Sequence, residues 1–132
     1  MTLSHAIAAA ALASAMAVGV AAAQPAAPSV IAVQLSEYDF SPMTIELTRG
    51  QPYVLHLTNS GGKAHDLSAK AFFETVSLAP GSAALVRKGD VEVEEDQSVD
   101  VVLTPDKPGS YEMHCTHPLH AMLGMKGKII VH

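Results

Sequence analysis

The stretch Cys115-Thr116-His117-Pro118-Leu119-His120-Ala121-Met122-Leu123-Gly124-Met125 decides how this sequence reads. It gathers a thiol, imidazoles and thioethers, the soft and borderline donors that suit copper. It lies between two strand-like runs, Tyr111-Glu112-Met113-His114-Cys115 before it and Lys128-Ile129-Ile130-Val131 after it. A loop closed by neighbouring strands aims several side chains at one point. Cys115 at the end of one strand and Met125 at the start of the next can therefore bracket His120. Two imidazoles and a thiolate in a near-trigonal plane, with a weak axial thioether, form a copper site that needs little rearrangement when its charge changes. The loop supplies the cysteine and at least one histidine. The second must come from elsewhere, and His65, in the loop after an alternating strand, is the candidate.

Outward from this loop, strand signals dominate. Val30-Ile31-Ala32-Val33-Gln34-Leu35 is rich in β-branched residues, and Met43-Thr44-Ile45-Glu46-Leu47 alternates. Arg49-Gly50-Gln51-Pro52 reads as a turn. Tyr53-Val54-Leu55-His56-Leu57-Thr58-Asn59 alternates with Tyr53, Leu55 and Leu57 on one face, which leaves His56 facing solvent. Ser60-Gly61-Gly62-Lys63 reads as a loop before His65. Phe72, Phe73 and Val76 lie on one helical stripe, which predicts a short helix between Ala69 and Leu78, ended by Pro80-Gly81. Val91–Glu94 and Ser98–Leu103 read as strands, and Thr104–Gly109 as a turn. Short strands with regular turn signals predict an all-β Greek-key sandwich with one short helix in a crossover.

The beginning of the chain differs in kind. No charged residue occurs from Ala6 to Ala23, and Ala21-Ala22-Ala23 before Gln24 resembles a small-residue cleavage site. Residues 1–23 read as a secretory signal peptide cut after Ala23, leaving 24–132 as one domain. Export, to the periplasm in a Gram-negative source, is therefore expected, without a membrane anchor. The formal net charge of −5 gives no electrostatic case for binding nucleic acid or anionic lipid. Cys115 is the single cysteine, so no internal disulfide can form. It is then buried and inert, paired between chains, or bound to metal.

Here the sequence resembles the cupredoxins, the small blue-copper proteins of the azurin and plastocyanin type. Phe40-Ser41-Pro42, then Ile45, Gly50 and an alternating strand ending in Asn59, is similar to the family's opening hairpin. Pro108-Gly109-Ser110-Tyr111 leading to Cys115 is similar to the strand that delivers the thiolate. The loop fits C-x4-H-x4-M as Cys115, His120 and Met125. Thr116 and Pro118 match an azurin-like C-T-x-P-x-H run, and Gly124-Met125-Lys126-Gly127 resembles the ending G-M-x-G. The resemblance implies a cupredoxin-type sandwich holding one type 1 copper ion through His65, Cys115, His120 and Met125. It also implies one-electron transfer without enzymatic turnover, to a redox partner protein docking near His120. Where relatives often carry Asn after the upstream histidine, this chain has Asp66. A carboxylate there would favour Cu(II) and lower the potential while ionised.

Two choices inside the loop rest on the family register, His120 over His117 and Met125 over Met122. Thr116 after the cysteine, and no His-x-His pair upstream, exclude a multicopper-oxidase cluster. A binuclear copper centre would need a second cysteine, and structural zinc sites avoid thioethers. The surplus of His114, His117, Met113 and Met122 motivates a rival function in copper tolerance, buffering or delivery, with copper-handling proteins as partners.

Overall fold

A computed structural model describes residues 18–132. Most of the expected signal peptide falls in residues 1–17, outside the described residues. Residues 18–28 carry no regular secondary structure, and the first strand begins at Ser29. Among the described residues no helix is long and apolar enough to cross a membrane.

Ten strands and two single-turn helices follow in chain order among the described residues. These are β1 (Ser29–Ser36), β2 (Asp39–Ser41), β3 (Thr44–Leu47), β4 (Tyr53–Asn59), β5 (His65–Ser68), α1 (Lys70–Phe73), β6 (Val76–Leu78), α2 (Pro80–Ala83), β7 (Asp90–Val93), β8 (Ser98–Pro105), β9 (Gly109–His114) and β10 (Lys126–Val131). They form two five-stranded sheets, ordered β2-β1-β4-β8-β6 and β3-β10-β9-β5-β7. β1 runs parallel to β4, and β3 parallel to β10; the other pairs are antiparallel.

Alternation sets which side chains enter the core, because successive strand residues point to opposite faces. In β4, Tyr53, Leu55, Leu57 and Asn59 are buried while the residues between are half-buried. His56 lies on the outer face as expected, where its Nδ1 meets Asp100 Oδ1 at 2.6 Å. Leu55 pairs with Val101 and Tyr53 with Leu103 on β8. Ile45, Leu67, Val91, Val93, Met113 and Ile129 from the other sheet close the sandwich, and Phe72 and Phe73 cover one end. Burying a side chain of this kind stabilises the fold by about 1.5–3 kcal/mol.

β10 approaches β3 so closely that a Cβ on Gly127 would lie 2.3 Å from the Met43 carbonyl oxygen and 2.4 Å from Met113 Cε. That is the physical reason for the second glycine of the Gly-Met-Lys-Gly run.

The sequence placed one helix between Ala69 and Leu78; the structure divides that segment. α1 is a single turn, closed where Thr75 N and Oγ1 both donate to the Phe72 carbonyl at 2.9 and 2.8 Å. Thr75 and Val76 are β-branched and favour extended backbone, and the free edge of β8 supplies a partner. Val76 pairs there with Pro105, and Leu78 with Leu103. The same pairing carries β8 through Thr104 and Pro105, which had read as the start of a turn. α2 then opens with Pro80 at its first turn, where the missing N–H costs nothing. The crossover therefore holds two helical turns around a strand rather than one helix.

Candidate metal centre

Three of the four expected ligands converge, and the fourth is tied to them through its backbone, by three local devices. The first is Asn59 at the end of β4. Its side-chain amide donates to the carbonyls of Lys63 at 2.7 Å and Val93 at 2.9 Å, and its Oδ1 accepts from Gly61 N at 2.8 Å. These bonds fold residues 60–64 tightly and tie them to β7, so His65 enters β5 in a fixed register. His65 had been expected in a loop; it is instead the first residue of β5, paired with Val93. Strand alternation then turns Asp66 to the opposite face.

The second device is the closure of the ligand loop. Cys115 N donates to the Met125 carbonyl at 3.1 Å, and Met125 N donates to the His120 carbonyl at 3.0 Å. Leu123 N reaches the Leu119 carbonyl at 3.0 Å, making one helical turn that holds His120. Gly124, at φ 109°, releases the chain from that turn into β10. The third device is Asp66. Its Oδ1 accepts from Thr116 N at 2.7 Å, and its Oδ2 accepts from the Thr116 hydroxyl. The tie between the two ligand-bearing segments is thus made by a carboxylate.

Within this frame three donor atoms meet. His65 Nδ1 and His120 Nδ1 are 3.1 Å apart, and Cys115 Sγ lies 3.4 Å from His120 Nδ1 and 4.0 Å from His65 Nδ1. Nitrogen and thiolate ligands about 2.0–2.3 Å from one ion in a trigonal plane would be separated by roughly 3.5–3.8 Å. The observed spacings bracket that range, so these residues fit a single ion. All three side chains are buried, and so is Met125 beneath the same loop. Cys115 follows β9 and Met125 precedes β10, adjacent strands whose register sets Lys126 against His114.

Burial governs the protonation of the metal-free site. It pushes the Cys115 thiol above its ordinary value, against backbone N–H groups of Asp66 and His117 that favour the thiolate. Burial and the neighbouring His120 hold the His65 imidazole below its ordinary value. At physiological pH the metal-free site therefore holds Cys115 as a thiol and His65 as a neutral imidazole. A bound metal would displace the thiol proton.

The structure brings His65, Cys115 and His120 together and buries Met125, whose backbone bonds to both Cys115 and His120. His117 points elsewhere: its Nε2 meets Glu92 Oε1 at 2.8 Å, while its ring stacks on His120 with centroids 5.5 Å apart. His114 and Met122 are exposed, Met122 by 82%. Leu119, Met122 and Leu123 form an exposed apolar rim beside His120, which is itself 7% accessible. Sequence reasoning missed Glu37, Tyr38, Asn59 and Glu92. Asn59 had a signal, a polar residue at a core-facing position of an alternating strand. The others act across long sequence separations that no local pattern carries.

The chain matches the model of the Cupredoxin-like domain over residues 6–131, and it belongs to that family. No curated protein matches it in sequence. Among solved structures it is similar to an auracyanin from the photosynthetic bacterium Roseiflexus castenholzii, at 20% identity and a TM-score of 0.60, covering 81% of this chain and 99% of that one. It is also similar to auracyanin A, described as a blue copper protein of Chloroflexus aurantiacus, at 21% identity and a TM-score of 0.58, covering 80% and 100%. A multicopper oxidase aligns at 11% identity and a TM-score of 0.58, covering 83% of this chain and 46% of the oxidase. At such identities these likenesses define the fold. The fold and the His–Cys–His–Met donor set together support one type 1 copper.

Proposed function

We propose that the protein transfers single electrons through one copper ion held by His65, Cys115, His120 and Met125. The observation that carries this is the convergence of two Nδ1 atoms and one thiol sulfur inside a buried frame braced by Asn59 and Asp66. A bound copper ion would supply the one-electron Cu(I)/Cu(II) couple. His65 and His120 would hold the metal plane. Cys115 would supply the thiolate through which the electron passes, and Met125 would add a thioether donor. His120, beneath the rim of Leu119, Met122 and Leu123, is the exit towards a redox partner protein docking there. The buried donors converge on a position for a single ion, which fits a one-electron carrier. Export with removal of residues 1–23, placing the carrier in a periplasm, belongs to this proposal.

Cys115→Ala tests it. The intense thiolate-to-copper absorption is expected to vanish while the circular dichroism of the sandwich survives; a retained band would sink the assignment.

A second reading, copper tolerance or delivery, has its own observation. Asp66, Glu92 and His117 place three further ligand atoms within 4.8 Å of one another at the half-exposed edge of the site. A handling protein should take up copper there beyond one equivalent, and a carrier should not.

A further inference from the structure

We propose that Glu37 is a positioning residue for His65: its carboxylate pairs with Nε2–H, fixes the tautomer that leaves Nδ1 free for metal, and lends negative charge to the oxidised site. The inference rests on the copper reading for its redox consequence, though not for the tautomer.

The first observation is an orphan. His65 Nε2 is buried and has no hydrogen-bond partner. If Nδ1 faces the metal, the proton must sit on Nε2, where an unpartnered buried donor costs about 1–3 kcal/mol. Histidine ligands ordinarily give that proton to a carboxylate or carbonyl, which fixes the ring and raises its basicity.

The second is the approach of one carboxylate. Glu37 Oε1 lies 3.9 Å from His65 Nε2. The same oxygen accepts from Gly62 N at 2.5 Å, which keeps the carboxylate on the Nε2 side of His65. Glu37 is 43% exposed, so its carboxylate can pivot about the Gly62 bond without displacing core side chains. A shift of about 1 Å closes a charge-assisted bond.

The third is a space kept open between them. A Cβ on Gly61 would lie 2.7 and 2.9 Å from the two Glu37 oxygens and 2.9 Å from His65 Nε2. Any side chain there would wedge the pair apart. Gly61 is thus explained by the approach, and its φ demands no glycine.

The fourth is strain at the same turn. Glu37 and Tyr38 are the two residues joining β1 to β2, and Tyr38 sits at φ 65°. A bulky residue in that region costs on the order of 1 kcal/mol or more. Its ring meets the His120 ring edge-on at 5.1 Å. One two-residue turn therefore addresses both histidines, Glu37 one and Tyr38 the other.

The alternative is that Glu37 only caps the Gly62 amide. Glu37→Gln separates the two, because an amide still accepts from Gly62 N but carries no charge. Glu46→Gln, on the exposed face of β3, controls for net charge. Side-chain nitrogen NMR of the metal-free full chain reads the His65 tautomer, and voltammetry of the copper-loaded chain reads the potential. The parent is expected to hold His65 as the Nε2–H tautomer. Glu37→Ala should populate both tautomers and weaken Cu(II) relative to Cu(I) binding about tenfold, a rise of about 59 mV. Glu37→Gln should keep the tautomer but raise the potential, and Gly61→Ala should move both readings towards those of Glu37→Ala. A Glu37→Ala protein with the parent's tautomer and potential overturns the proposal. So does a Glu46→Gln shift equal to that of Glu37→Gln. If the parent gives no coloured copper complex, the copper reading fails instead, and the metal-free tautomer still decides the role of Glu37.

Discussion

Removing the Asp66 carboxylate should loosen the whole metal site from one side. Asp66 is 3% exposed, and both of its oxygens are occupied by Thr116. A hydrogen bond to a charged group contributes about 1.5–3 kcal/mol. Asp66→Ala loses two of them, but it also removes a buried charge whose desolvation opposed folding. The Thr116 hydroxyl is near solvent and can rehydrate; its N–H is half-buried and less able to. The net loss should be about 2–3 kcal/mol. For a domain of this size that lowers Tm by about 10 °C or more. Asp66→Asn keeps an acceptor for Thr116 N and should cost about 1 kcal/mol. Urea denaturation of the metal-free protein gives these values, and a cycle with Thr116→Val isolates the pair, with an expected coupling of about 1 kcal/mol or more. Copper release from Asp66→Ala should also quicken, since the segments carrying His65 and Cys115 lose their tie. An Asp66→Ala protein within about 0.5 kcal/mol of the parent, with unchanged copper release, would refute the bracing role.

Three further outcomes follow from the same geometry. His117→Ala should leave the colour of the copper complex nearly unchanged, because His117 is bonded to Glu92; a lost band would move the ligand register to His117. The metal-free protein should be most stable between about pH 6.5 and 9. His65 in the fold binds its proton less tightly than its ordinary 6.5, so stability is full above that pH and falls as pH drops towards the folded value. Cys115 is raised above its ordinary 9.0, so its contribution is full below that pH and is lost as pH rises through the folded value. Melting temperatures across pH check both limbs, and copper loading should remove the alkaline one. Gly127→Ala should cost about 3 kcal/mol or more, since the new Cβ meets the Met43 backbone, which cannot swing aside as the Met113 methyl can; a melt unchanged from the parent would contradict the close β3–β10 approach.

The sequence carried the strands because period-two alternation is local: Tyr53, Leu55 and Leu57 declare their buried face with no knowledge of the partner strand. The loop from Cys115 to Met125 was legible for the same reason, its donors lying in one short segment. His65 needed the family register, since a lone histidine 55 residues from His120 has no local signature. The Ala69–Leu78 segment was misread because Phe72, Phe73 and Val76 satisfy a helical stripe, while the free edge of β8 decides between helix and strand. That edge is a tertiary fact. Glu37 was invisible for a related reason. A carboxylate in a tight turn reads as solvated until the fold brings it against His65.

The central claim is that His65, Cys115 and His120 hold one copper ion with Met125 as a weak axial ligand. Copper titration of the chain, followed by visible absorption and electron paramagnetic resonance, tests it most directly. One equivalent should give an intense thiolate band near the red end of the spectrum with a narrow copper hyperfine splitting, and further equivalents should add nothing. No coloured complex, or colour without the narrow splitting, would contradict the claim and return Cys115 to an inert buried thiol or a site of another geometry.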